Sequence, residues 1–159
     1  MENRQYYYAY QTIIGKIHIV EQDNFITGIK YQPPETKPQE KETLLIKETY
    51  LQLVDYLTGK RQLFDIPIKT AGTAFQEKIW TTLQTIPYGE VWSYKRLAET
   101  AGSPRGYRAA GMGNNKNPIA IVIPCHRVIG SDGTLVGYAG GLHIKQQLLA
   151  IEQQYTKQE

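Results

Sequence analysis

Residues 117–130 read NPIAIVIPCHRVIG, and they hold the only cysteine of the chain, Cys125. The thiol stands between a proline and a His-Arg pair, at the end of an apolar run. IAIVI, residues 119–123, is too short for a helix and rich in β-branched residues. It predicts a buried strand or extended segment that delivers Cys125 to its end. By itself a lone cysteine is more often an inert small hydrophobe than a nucleophile. Its meaning has to come from the sequence around it.

Working outward towards the N-terminus, Thr73 and Gln76 have the spacing of a capping box, and Phe75, Ile79, Leu83 and Ile86 form the apolar stripe of the helix that follows. Pro87 and Gly89 break this pattern. Ser93 is placed to cap a short helix, YKRLAETA, closed by Gly102, and Ser103 is placed to cap another with Pro104 at its first position. Residues of about 93–113 therefore read as helix, tight turn, helix, with Arg105 and Arg108 on the second helix. Between Lys95 and Arg127 there are six basic residues and one acid, Glu99, although the net charge of the chain is only +3. A local basic stripe on a nearly neutral protein suits an anionic partner such as nucleic acid.

The first third has strand character. YYYAYQTI, GKIHIVEQ and ITGIKYQ are rich in Tyr, Ile and Val, with turn residues at Gly15 and Asp23-Asn24. QPPETKPQEKE reads as a polar connection. Ile46, Tyr50, Leu53, Val54 and Leu57 then define one wide helical face that Gly59 ends, and KRQLFDIPIKTAG reads as an extended link. The expected fold class is α/β, of the α+β kind. A small N-terminal antiparallel sheet with a helix occupies residues 1–67; a mostly helical C-terminal domain, 68–159, contains the helix-turn-helix and Cys125.

At 159 residues, 41% hydrophobic and 21% charged, the chain reads as soluble and globular. No apolar run approaches the length of a membrane span, and MENRQYYYAYQ lacks the layout of a signal peptide. One cysteine permits no internal disulfide, so a cytoplasmic setting is expected. Cys125 with His18, His126 and His143 offers no zinc-site spacing. GSDGTLVGYAGG has no phosphate-binding glycine spacing, so no nucleotide cofactor is inferred. His18 and His143 read as ordinary packing or surface residues.

The last helix, about 142–155, places Ile144, Leu148, Ile151 and Tyr155 on one face, and Glu152 falls on that face too. A carboxylate turned into a core is unfavourable unless it is paired. Its candidate partners are His126 and Arg127. A Cys-His-Glu relay would account for both the cysteine and the glutamate, with His126 withdrawing the thiol proton and Glu152 compensating the imidazolium. The alternatives are an inert thiol and a helix-end charge turned to water.

The segments FQEKIWTTLQTIPYGEVWSY, LAETAGSPRGYRAAG, NPIAIVIPCHRVIG and GYAGGLHIKQQLLAIE, in this order, resemble the O6-alkylguanine-DNA alkyltransferase family. The match is dense over residues 73–153 and looser before them. The resemblance implies stoichiometric DNA repair, in which the alkyl group of O6-alkylguanine, with O4-alkylthymine as a second candidate, moves to Cys125. It implies that His126 reaches Glu152 through a water and that Asn117 holds the turn bearing the nucleophile. Tyr94 would donate to the departing purine, and Arg108 would fill the space of the flipped base. Tyr107, Ser93, Arg105 and Lys116 are implied at the DNA. Backbone groups of Cys125 and Val128, with Tyr138 and Ala139, would form the base pocket, and Arg127 is implied to be structural.

The partner expected is double-stranded DNA carrying the lesion, bound by a monomer without cofactor or metal. Tyr107 is bulkier than the resemblance suggests beside Arg108. Met112, Asn114 and Lys116 fall where groove contacts vary, and Ala139 stands where some relatives have serine. Rival readings are a lesion sensor that binds without repair, a helix-turn-helix regulator, and a papain-like hydrolase. The retained Cys125, the core-facing Glu152 and the basic helix pair speak against them in turn.

Overall fold

The computed structural model describes residues 4–156, so the ends of the expected 1–67 and 68–159 division lie outside the described residues. The chain separates into two compact units, Met1–Thr70 and Ala71–Glu159. In the first, β1 (Gln5–Thr12), β2 (Gly15–Gln22) and β3 (Phe25–Lys30) pair antiparallel. The turn between β2 and β3 puts Asp23 at φ 53° and Asn24 at φ 67°. Two successive left-handed residues are what a tight hairpin needs, and short polar side chains tolerate that conformation best after glycine.

The sheet is not purely antiparallel. Gln39–Glu40, within the stretch expected to be a plain connection, forms β4 and pairs parallel with Tyr6 and Tyr7 of β1. The sheet order is β3-β2-β1-β4. The outer edge of β1 would otherwise expose unpaired backbone groups, and the passing chain takes them up; Lys41 N donates to Tyr7 O at 3.0 Å. A polar two-residue strand has no pattern of its own for a sequence reading to find.

Helix α1 (Leu44–Leu57) begins at Thr43, whose Oγ1 accepts from Ile46 N at 3.1 Å and donates to Glu21 Oε1 at 2.6 Å. It ends as expected at Gly59, φ 80°. Lys60 N bonds to Asp55 O at 2.7 Å and Gly59 N to Tyr56 O at 3.2 Å, a double closure that requires a left-handed residue. Ile46, Leu53, Tyr56 and Leu57 are buried. Tyr50 and Val54 are only half-buried, because they line an apolar hollow of about 380 Å³ with Thr12 and Ile13. The extended link is fixed to β3 by Ile26 N to Pro67 O, 2.8 Å, and Lys69 N to Ile26 O, 3.0 Å.

In the second unit, α2 (Ala74–Leu83) has the capping box complete, with Thr73 and Gln76 each accepting from the other's backbone. Ile79, Leu83 and Ile86 are buried, while Phe75 stays half-exposed at the first turn. A short parallel pair, β5 (Trp92–Ser93) and β6 (Val128–Ile129), brings the start of α3 (Tyr94–Thr100) beside the segment that follows Cys125. Ser93 Oγ caps α3 by accepting from Arg96 N at 3.0 Å.

The second helix of the pair, α4, runs Tyr107–Asn115, not from Ser103. Ser103 caps nothing there. Its carbonyl accepts from Gly106 N at 2.8 Å and closes a β-turn in which Pro104 is the second residue. The fixed φ of proline suits that turn position as well as a helix start, and a sequence reading cannot separate the two. The connection Ala101–Gly106 therefore spans six residues and leaves Arg105 exposed in a turn.

IAIVI is not a strand either. Ile121 has φ 73°, rare for a β-branched residue, and Val122 N bonds back to Ala120 O at 2.8 Å. This is a γ-turn of the strained, positive-φ kind. Cys125 N bonds to Ile123 O at 2.8 Å across Pro124 (φ −82°, ψ 63°), a second γ-turn of the relaxed kind. The run is apolar because it is buried, not because it is extended. Helix α5 (Leu142–Thr156) closes the unit and buries Ile144, Lys145, Leu148 and Glu152.

Gly89, in the break after α2, has φ 83°, and a Cβ there would collide with the Thr156 side chain. Its N–H donates to Glu152 Oε1 at 3.2 Å and its carbonyl accepts from Gln153 Nε2 at 2.9 Å. Gly89→Ala incurs both the left-handed penalty and overpacking, together about 2–4 kcal/mol. Chemical denaturation should show that loss; a variant as stable as the parent would contradict this geometry.

Candidate active site

Cys125, His126 and Arg127 form a single 3₁₀ turn between the second γ-turn and β6, and all three are buried. The turn's conformation sends consecutive side chains in different directions. Asn117 holds the approach: its Nδ2 donates to Ile123 O at 2.7 Å and its Oδ1 accepts from Ile119 N at 3.0 Å. One carboxamide thus fixes both ends of the loop that presents the sulfur.

Glu152 is fully buried, and four hydrogen bonds converge on its carboxylate. His126 Nε2 lies 2.7 Å from Oε2; Arg127 donates from Nε to Oε1 at 2.8 Å and from Nη2 to Oε2 at 2.9 Å; Gly89 N adds the fourth. Both candidate partners are therefore engaged at once. The His126–Glu152 contact is direct, so the water expected between them has no place there. A 2.7 Å separation leaves no room for one. Arg127 also donates from Nη1 to Ile86 O at 2.7 Å and lies over the Tyr88 ring, 5.5 Å from its centre.

Burial works to raise the Glu152 carboxyl, and the hydrogen bonds and charges of His126 and Arg127 overcome it, holding the group at about 2. Burial pushes His126 below its ordinary value, against the opposing pull of Glu152. With Glu152 ionised and the imidazole neutral, Nε2 carries the proton and Nδ1 has the lone pair. Burial likewise pushes the Cys125 thiol up, so it rests protonated, while the Asn117 amide and the charge of Lys145 act to lower it.

Lys145 is the residue that sequence reasoning missed. It is fully buried, and its Nζ donates to Val128 O at 2.6 Å, Val136 O at 3.0 Å and Gly137 O at 3.4 Å. It ties the strand after Cys125 to the glycine-rich loop and sets a positive charge near the sulfur. The signal was available: a lysine immediately after Ile144 and three residues before Leu148, on the helix face already assigned to the core.

The other expected residues divide into two groups. Tyr94 is half-buried, with its hydroxyl donating to Val136 O at 2.9 Å; Val128 is buried beside it on β6, and Tyr138 is half-buried with Ala139 exposed in the loop. Around the helix pair, Tyr107, Arg108, Arg105 and Lys116 are all exposed, and Ser93 is committed to capping α3. Arg108 lies 5.9 Å from the centre of the Tyr107 ring, at the first turn of α4. Asn114, expected at the groove, is instead buried, whereas Met112 is exposed. His143 is exposed, but His18 packs inside the sheet of the first unit. Among the described residues no cluster of His, Cys, Asp or Glu could hold a metal ion, and no helix is long and apolar enough to cross a membrane.

A thiol presented by a loop and backed by a buried His-Glu-Arg cluster, beside a basic helix pair, is chemically equipped for transfer of a group to sulfur. The chain belongs to the 6-O-methylguanine DNA methyltransferase family: residues 5–70 match that family's ribonuclease-like domain and residues 74–154 its DNA-binding domain. It is 54% identical over 107 residues to the methylated-DNA–protein-cysteine methyltransferase of Methanosarcina barkeri, covering 67% of this chain and 68% of that one. It is 40% identical to the protein of the same name from Methanosarcina acetivorans over 92% and 97% of the two chains. The structure of Mycobacterium tuberculosis OGT in complex with DNA superposes with a TM-score of 0.90 at 36% identity, covering 94% of each chain.

The depressed Glu152 and His126 groups both bind protons more readily when unfolded, so both contribute stability that is lost as pH falls. The loss should begin near 6.5 with His126 and continue through the carboxylate range to about 2 with Glu152. Glu152 alone accounts for about 3 kcal/mol of it. Unfolding free energies measured across that window should fall steeply in the parent and much less in Glu152→Gln, which starts from a lower plateau. Lys145→Met, which keeps the length and removes the charge, should shift the pH midpoint of Cys125 alkylation by iodoacetamide upward. An unmoved midpoint would show that Lys145 acts only as a strut.

Proposed function

We propose that the chain repairs alkylated DNA by moving the alkyl group from O6 of guanine, with O4 of thymine as a second candidate site of attack, onto its own Cys125 in a single irreversible turnover. Methyl transfer of this family is the coarse activity that membership gives. The observation that carries the finer reading is the 3₁₀ turn, which sets Cys125 directly before a histidine whose Nε2 is locked on the buried Glu152 carboxylate.

In this reading the lone pair at His126 Nδ1 receives the thiol proton, and Glu152, itself neutralised by Arg127, stabilises the imidazolium that forms. Asn117 and Lys145 stabilise the thiolate. The sulfur attacks the alkyl carbon, the C–O6 bond breaks, and the electron pair passes to the purine, which takes a proton from Tyr94. A thioether results. It has no carbonyl for water to attack, so the protein is consumed, and the reaction calls for no metal or cofactor.

The sulfur cannot reach a base within the stack, so the base has to be extruded at the expense of a few kcal/mol. Arg108, exposed on the first turn of α4, is suited to occupy the gap, and Tyr107 beside it offers an aromatic face. Arg105 and Lys116, both exposed, and the backbone near Ser93 are assigned to phosphates, which would make binding salt-sensitive. Carbonyls of Cys125 and Val128 are assigned to the exocyclic amine, with Tyr138 and the backbone at Ala139 forming the wall near O6. Residues 68–159 form the DNA-binding and transfer domain, acting as a cytoplasmic monomer, and 1–67 support it.

Intact mass before and after mixing with a duplex containing O6-methylguanine tests this directly. The expected result is one methyl group per chain, mapped to Cys125, with guanine restored. Cys125→Ala should abolish transfer and keep lesion binding, and Arg108→Ala should weaken discrimination of the lesion by about 10-fold. Binding without any mass change in the parent would favour a lesion sensor instead.

A further inference from the structure

Helix α4 has two unlike faces. Ala110, Gly113 and Asn114 are buried, and the Gly113 carbonyl accepts from Trp80 Nε1 of α2 at 2.9 Å. The outer face carries Arg108, Met112 and, at the C-cap, Lys116, all exposed. These positions are four residues apart, so they form one stripe about 12 Å long. Met112 is 68% exposed, and it is the only methionine besides Met1.

A single exposed apolar side chain is ordinary on a protein surface. Met112 differs in its neighbours. A guanidinium stands one turn before it and an ammonium one turn after it, and among the described residues neither is engaged in an ion pair. Asn115, on the same side of the helix, lies against Gly137, where a Cβ would stand 3.2 Å from the Asn115 Oδ1. The stripe therefore runs up to the loop that carries Tyr138 and Ala139. An apolar side chain bracketed by unpaired cations suits a polyanion that also offers apolar surface. Duplex DNA does so in the sugar edges and base faces between its phosphates. An acidic peptide would meet the charges equally well, but the match of residues 74–154 to a DNA-binding domain selects DNA.

We propose that Met112 is an apolar DNA contact. With Arg108 in the gap left by the extruded base and Lys116 on a phosphate, the Met112 side chain packs on the deoxyribose and base carbons between them. An unbranched, polarisable side chain suits that place, because it adapts to whichever bases flank a lesion. The contact adds affinity without adding charge, so it strengthens binding at any ionic strength, whereas the phosphate contacts fade as salt rises. The inference rests on the DNA-repair reading of the site.

Binding of an O6-methylguanine duplex is measured over a range of salt concentrations in the Cys125→Ala background, where no transfer intervenes. Adding Met112→Ser should weaken binding by about 10-fold, with the slope of log affinity against log salt unchanged. Met112→Leu, which keeps the apolar volume, should bind like the Cys125→Ala protein. A second measurement needs no change at Met112: saturating duplex should protect it from oxidation to the sulfoxide by peroxide, read by peptide mass. Affinity of Met112→Ser within about 2-fold, the ordinary scatter of a surface substitution, overturns the proposal. So does a loss of affinity that comes with a shallower salt slope, or oxidation as fast with duplex as without it. If the Cys125→Ala protein binds no duplex, the DNA-repair reading itself fails. If it binds with Met112 unprotected, only the contact fails.

Discussion

An ionised carboxylate without solvent exposure has to be surrounded by donors, and Glu152 organises much of the second unit for that reason. Donors to it come from two separate places: the 3₁₀ turn through His126 and Arg127, and the break after α2 through Gly89. Arg127 extends the reach to Ile86, the last residue of the α2 stripe. A single helix residue thereby fixes the turn that carries the cysteine against the end of α2. Removing the carboxylate would leave a guanidinium buried without its counter-charge, the more damaging half of any broken buried pair.

Lys145, about two turns earlier on α5, does the corresponding work with opposite charge. It collects carbonyls where Glu152 collects donors, and it joins Val128 on β6 to Val136 and Gly137 in the loop. The two charges therefore hold the cysteine turn and the strand after it from the same helix. Such an arrangement favours specificity of placement more than stability, since well-packed apolar residues would often be at least as stable in their place. The placement is spent on Cys125, whose own loop is strained at Ile121 and held by Asn117.

Where local chemistry and global structure agree, the sequence could be read: the Thr73-Gln76 box, the Ser93 cap, the Asp23-Asn24 hairpin and the Gly59 stop each rest on a conformation that only a few residues can adopt. The oddity of Glu152 on an apolar face likewise pointed to His126 and Arg127; it was the family resemblance that implied a water between His126 and Glu152, where the contact is direct. Elsewhere the deciding term was tertiary. IAIVI has strand composition because it is buried, yet its backbone is bent twice by γ-turns that Asn117 and Pro124 stabilise. Ser103-Pro104 suits a helix start and a β-turn alike, and Gly106 decides for the turn. The resemblance set Asn114 where groove contacts vary and said nothing of Lys145, because neither residue type announces that its partners are backbone carbonyls.

Burial of the thiol has a particular consequence if the protein is consumed by its own reaction. A recyclable nucleophile gains from being ionised at rest, whereas a single-use one loses a molecule to every stray electrophile it meets. Raising the Cys125 thiol by burial keeps it in the unreactive protonated form. The groups that oppose that rise, the Asn117 amide and the Lys145 charge, are already in place, so ionisation needs only a base and an acceptor for the proton. In the proposed reaction His126 would supply the base, from a neutral imidazole aligned by Glu152, and the departing purine would supply the final acceptor. On this account the site stays quiet until an alkylated base sits in it, and the fixed network around the 3₁₀ turn lets it react without rearranging.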